Sequence, residues 1–180
     1  MDDGDHLVLA MPRRELFRIN GFTRAIDLTV LASLEEDAWY AAPTALANNL
    51  DAKEVRLGLV VARHADAGDQ ALVTEHGILL HATPIPPDVG ALGPGLRALR
   101  QLALVAGRHL VGSTHGTVEM LGYCNEDSLP ECRAFFLLVY RLRLPAGTAA
   151  PEGMNWIALA HLAHVPLDPV SALIAAGLPS

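Results

Sequence analysis

Apolar residues in this chain come in short runs separated by proline, glycine or acidic breaks, and the period of each run predicts an element. Residues 6–11 are mostly apolar and lie between an acidic start and Pro12, which predicts a first strand or extended arm paired with the main sheet. Ile26, Val30, Leu31 and Leu34 recur at helical spacing over 25–34, and Glu35, Glu36 and Asp37 after them read as a solvated acidic patch. Pro43 and Thr44 open a short helix through Leu50, with Thr44 as its cap. Residues 55–62 read as a buried strand, 65–69 as a turn and 71–74 as the returning antiparallel strand.

Residues 77–83 are apolar and extended until Pro84, Pro86 and Pro87, which neither a helix interior nor a central strand accommodates, so a connecting loop follows. Leu96, Leu99, Leu102 and Ala103 then predict the best helix of the chain over 94–106, with Pro94 in its first turn and Gly107 as its stop. Residues 117–123 and 134–144 are rich in β-branched and aromatic side chains and form a second hairpin around the polar segment 125–131. Residues 155–159 make a short strand, and Asp168 caps a last helix whose first position is Pro169. Strands and helices interleave without an internal repeat or long linker, which predicts one α/β domain.

Composition narrows the function classes. The 180 residues are 51% hydrophobic and 18% charged, enough to fold around a core of their own and too apolar for disorder. A net charge of -7, with Lys53 the single lysine among 13 basic residues, excludes a phosphate-tracking surface and makes nucleic acid an unexpected partner. No apolar run approaches the roughly 18 to 20 residues that span a bilayer, and the acidic start is unlike a signal peptide, so a soluble cytoplasmic protein with no membrane partner is expected. Cys124 and Cys132 are too few for a disulfide framework and lack zinc-ribbon spacing, so two reduced thiols are expected.

The element order resembles the Nudix fold. Val55-Arg-Leu-Gly-Leu-Val-Val61 is similar to its opening strand, Val118-Glu-Met-Leu-Gly-Tyr123 and Arg133-Ala-Phe-Phe-Leu-Leu-Val-Tyr140 to its later strand pair, and Asn155-Trp-Ile-Ala-Leu159 to the tryptophan strand before its final helix. The likeness implies an α/β/α sandwich with a mixed sheet over 54–180, with 1–53 an N-terminal extension packed on the same domain. That extension resembles, through Pro12-Arg13 and Gly21-Phe22, the one found in a predicted phosphoesterase branch.

The resemblance also implies a test. The Nudix box lays a glycine, an isolated glutamate, an Arg-Glu-apolar triplet, a glutamate pair and a second glycine over a loop and helix. Its carboxylates hold Mg²⁺ or Mn²⁺, which neutralises diphosphate charge and activates water. Anchored on Arg100, Leu102 and Gly107, the register puts Pro86 at the first glycine, Leu92 at the first glutamate, Gln101 after the arginine, Leu104 and Val105 at the pair, and Arg108 after the second glycine. Every acidic position is lost, so no metal site and no catalytic residue is expected there.

Other chemistry is sparse. His161 and His164 share helical spacing but lack a third ligand, and His109 and His115 are placed in the turn after the main helix. Glu75, Glu119, Glu126 and Asp127 are either surface carboxylates or relocated acids. Of these, Glu119 alternates with apolar neighbours in a strand beside the box-like helix and so could face the cleft. Cys124 and Cys132 flank 125–131 and would lie opposite each other in a regular hairpin.

Two functions follow from the resemblance. The first is a non-catalytic module binding a nucleotide-like or other small ligand, or a protein, with no cofactor. The alternative is a divergent metal-dependent phosphohydrolase acting on a nucleoside diphosphate-type substrate, with Mg²⁺ or Mn²⁺ held by acids such as Glu119 or Glu75. The large apolar fraction raises homodimerisation as an expectation.

Overall fold

A computed structural model of the chain describes residues 6–178 except 25, 67, 93, 94, 113 and 114. The strands are β1 (Val8–Pro12), β2 (Gly21–Thr23), β3 (Trp39–Ala41), β4 (Ala52–Ala65), β5 (Gly68–Val73), β6 (Leu79–Pro84), β7 (Thr117–Asn125), β8 (Phe135–Leu144) and β9 (Asn155–Ala158). The α-helices are α1 (Leu28–Glu36), α2 (Pro43–Ala47), α3 (Gly95–Val111) and α4 (Pro169–Gly177).

One mixed sheet runs β2-β7-β8-β4-β1-β3, and β6 and the β5–β9 pair join it through β4. Its centre is the parallel pairing of β4 with β8, from Glu54 opposite Phe135 to Arg63 opposite Leu144; the other ladders are antiparallel. Sequence accounts for that centre. Val55, Leu57, Leu59, Val60 and Val61 are all buried, so β4 is apolar on both faces, as a strand covered by helices on each side must be.

Each face has its own layer. Val30, Leu31 and Leu34 of α1 and Leu99 and Ala103 of α3 pack with Val55, Leu57, Leu59, Val118 and Phe136. On the opposite face, Val170 and Ile174 of α4 and Leu162 of the 3-10 segment Leu159–His164 pack with Val60, Leu121, Leu137 and Val139. The result is the expected α/β/α sandwich. Asp168 caps α4 by accepting from Val170 N and Ser171 N, with Pro169 in the first turn.

Some boundaries differ from the sequence reading, each for a local reason. α1 starts at Leu28 because Asp27 accepts from Thr29 N, so Ile26 stays outside the helix and 46% exposed; Ala25 lies outside the described residues. α2 ends at Ala47 rather than Leu50, and Thr44 is inside it: Pro43 takes the first turn, which puts Ala42 at the cap without a side-chain bond.

α3 passes through Gly107 and continues to Val111. Gly107 serves close packing rather than termination, since a Cβ there would stand 2.5 Å from Leu142 Cδ2. The stop is Gly112, whose φ of 62° suits the residue after a helix. His109 consequently sits within α3, not beyond it. Pro94 lies outside the described residues.

Candidate functional site

The box-like positions fall on α3 and on the 3-10 segment Pro87–Leu92 before it. Pro86, at the first-glycine position, accepts a hydrogen bond on its carbonyl from Tyr40 Oη at 3.2 Å. Leu92 ends the 3-10 segment, and its side chain lies outside the described residues. Arg100 Nε donates to Val118 O at 2.9 Å and so ties α3 to β7. Gln101 is half-buried, Leu104 packs against the core, Val105 is 39% exposed, and Arg108 is exposed in the last turns of the helix.

These donors do not suit a hard divalent cation. Gln101 offers one neutral oxygen and the two apolar side chains none, whereas Mg²⁺ gives up its water shell only for several oxygens, charged ones above all. Among the described residues, no group of three or more His, Cys, Asp or Glu side chains comes together as a metal site. His161 and His164 are both exposed on the 3-10 segment Leu159–His164.

Glu119 turns away from α3. Its neighbours Val118 and Met120 belong to the core layer that contains α3, so Glu119 projects from the other face of the sheet. There it pairs with Arg141, its cross-strand partner, with Arg143 at 4.0 Å. Glu75 is exposed beside His76, and Glu126 accepts from Ser128 N.

The acidic patch Glu35, Glu36 and Asp37 is exposed, as read from the sequence, and one of its acids also reaches the start of α3. Glu35 Oε1 lies 2.5 Å from where a Cβ on Gly95, the first residue of α3, would stand. Glu35 makes no hydrogen bond or ion pair among the described residues. A carboxylate at a helix N-terminus is favoured by the partial positive charge there. No local signal marked this residue, because a chain separation of 60 positions between Glu35 and Gly95 is bridged only by the tertiary fold.

Glu35 stands at a cavity of roughly 480 Å³ walled by Leu9, Leu34, Ile85, Leu96 and Leu99, with Tyr40 as the other polar side chain of note. Burial, and then the nearby Asp88 carboxylate, push the Tyr40 phenol above its ordinary range; its one O–H donates to Pro86 O, which leaves the oxygen able to accept. A second cleft of roughly 930 Å³ shares Pro87 with it and is lined by Val8, Pro86, Asp88 and Leu102. Size and lining are those of a small-molecule site: apolar walls with a few polar groups.

A second polar cluster lies at the start of β4. Lys53 is fully buried, and its ammonium reaches Asn125 Oδ1 at 2.6 Å, Asp127 Oδ1 at 2.6 Å and Cys132 O at 3.3 Å. Arg13 joins Asp127 Oδ1 at 2.7 Å and also donates to Leu50 O and Arg133 O. Burial lowers the Lys53 pKa against the pull of Asp127. Burial alone would raise that of Asp127, but hydrogen bonds from Lys53 and Arg13 outweigh it and hold the carboxyl below its ordinary range.

Cys124 and Cys132 are both buried and form no disulfide, and they do not face each other in the ladder. Cys124 is opposite Leu137, and Cys132 belongs to the 3-10 turn Pro130–Cys132, because β8 begins only at Phe135. Burial, with Cys132 next, pushes the Cys124 thiol up to about 12.

No protein-family model matches the sequence, and no curated protein matches it. Among solved structures the fold is similar to the crystal structure of Tm1382, a candidate Nudix hydrolase, with a TM-score of 0.69 at 15% identity over 94% of this chain and 96% of that one. No helix among the described residues is long and apolar enough to cross a membrane. The likeness covers nearly the whole of both chains, and it shows that this chain adopts a Nudix-like fold.

Proposed function

We propose that this protein is a binding module which holds a small ligand in the cleft between α3, β1, β3 and the segment after β6. The observation that supports this most is the cavity of roughly 480 Å³, with Leu34, Ile85, Leu96 and Leu99 as walls and Glu35 and Tyr40 as polar groups. Such walls favour a ligand with an apolar body. Glu35 and Asp88 oppose a bare polyphosphate, so the ligand is neutral or cationic where it meets them.

The placement of Glu35 favours one competing reading, a divergent phosphohydrolase that takes its acid from the N-terminal region. Calorimetric titration separates the two, because hydrolysis needs a saturable Mg²⁺ or Mn²⁺ site and the binding module does not. We expect no saturation by either metal and no hydrolysis of nucleoside or sugar-nucleotide diphosphates. Turnover of about 1 s⁻¹ or more, abolished in Glu35→Gln, would establish the hydrolase instead. Binding is tested with a solvatochromic apolar dye: its blue-shifted emission should appear with the natural protein and fall when Leu96→Trp fills the cavity. Equal emission from both proteins would refute the cleft as the site.

A further inference from the structure

We propose that the chain carries a second site, separate from the α3 cleft, for a small molecule that joins an oxyanion to a short apolar body, with Arg13 and Arg133 as the recognition groups. The cavity holds roughly 460 Å³ between α2, the start of β4 and the loop after β7, and Leu46, Asn49, Leu50 and Ala134 line it with the two arginines. Its size suits a small molecule rather than a bare ion.

The charge pattern selects an anion. The carboxylate among the described lining residues is Asp127, and Lys53 and Arg13 already neutralise it at 2.6 and 2.7 Å. Arg133 is the charge left over. Its Nε donates to Asp127 O at 2.9 Å, which fixes the plane of the guanidinium, while its two terminal nitrogens make no hydrogen bond or ion pair among the described residues. Arg13 is immobilised by its three bonds to Leu50 O, Asp127 and Arg133 O, and a guanidinium carries five N–H donors, so it too has donors to spare. Arg133 is exposed, and a planar guanidinium held at Nε with its terminal nitrogens facing outward is well matched to a carboxylate or phosphate, which it meets through two parallel hydrogen bonds.

The rim selects the rest of the molecule. Leu50 is 83% exposed at the edge of this cavity, apolar surface that a ligand body would cover and water covers at a cost.

Phenyl phosphate, benzoate and inorganic phosphate are the probes, titrated into the full-length protein and followed by calorimetry and by amide chemical shifts. At least one aromatic probe should bind saturably with a Kd below about 1 mM, more tightly than inorganic phosphate, and the tighter of the two identifies the head group. Shifts should concentrate at 46–52 and 127–134. Affinity should fall about tenfold or more in Arg133→Met, recover in part in Arg133→Lys, weaken with added salt and stay unchanged in Arg108→Met. Should Arg133→Met unfold, Leu50→Glu tests the same point from an exposed position, because it sets a like charge beside the anion and should also weaken binding. Lack of saturable binding by both aromatic probes, affinity in Leu50→Glu or in folded Arg133→Met equal to that of the natural protein, or shifts confined to the α3 cleft would each overturn the proposal.

Discussion

The ammonium of Lys53 lies 2.6 Å from the carboxylate of Asp127, although the lysine is fully buried and the aspartate side chain is half-exposed. The pair joins the first residues of β4 to the loop after β7. Asn125 extends the link to the N-terminal segment, donating from Nδ2 to Leu16 O and Ile19 O while its Oδ1 accepts from Lys53. The one lysine of the chain is therefore an internal strut.

Removing that strut should be costly. Lys53→Met leaves the buried Asn125 Oδ1 without the Lys53 donor and Asp127 without one of its two cations, and an unsatisfied buried acceptor is worth about 1 to 3 kcal/mol. Urea melts of the variant should show that loss; a change under about 1 kcal/mol would mean that the ammonium is solvated in the native state.

Acid should weaken the fold through carboxylates whose pKa is depressed. Asp127, Asp69 and Asp27 all sit below their ordinary range in the folded chain, Asp69 chiefly through the hydrogen bond from His64 and Asp27 through those from Thr29. A folded-state pKa below the unfolded one means that the unfolded chain binds more protons, so this stability is fully present above about pH 4 and drains away as pH falls through the folded values. Melting temperature should thus be flat near neutrality and fall below about pH 4, and Asp127→Asn should reduce the size of that fall. Identical acid limbs in the two proteins would remove Asp127 from the account.

The seating of α3 on the sheet rests on Leu99, which is 5% exposed amid the core layer of that face. Leu99→Ala should destabilise by roughly 2 to 5 kcal/mol, the range for a buried leucine whose cavity closes incompletely. A cost under about 1 kcal/mol in urea melts would place the side chain at the surface and refute the packing of α3 described above.

The thiols should be present but slow. Denatured protein should titrate two free thiols, and native protein should react far more slowly at Cys124, whose pKa burial raises to about 12. No titratable thiol after denaturation would mean a bridge between Cys124 and Cys132 and contradict the unbridged geometry.

Much of this architecture was legible in the order of residues. Short apolar, β-branched or aromatic runs bounded by turn residues located β4 and both hairpins, and helical spacing located α3, because a helix with one buried face must repeat its apolar residues at the pitch of its backbone. Asp168 and Pro169 marked the start of α4 by chemistry that acts within one turn. The register on Arg100, Gln101, Leu104 and Val105 came from the resemblance to the Nudix box, and all four positions lie on α3.

What sequence could not decide were relationships between distant segments. Gly107 looks like a helix stop until Leu142 is found against it, and Glu119 looks like a cleft acid until the twofold alternation of β7 is assigned to faces by the helices that cover them. Glu35 meets Gly95, and Lys53 meets Asp127, across stretches of chain that no local pattern spans. Local periodicity states that a residue is on one side of its own element; only the packing of layers determines which side that is, and what stands opposite.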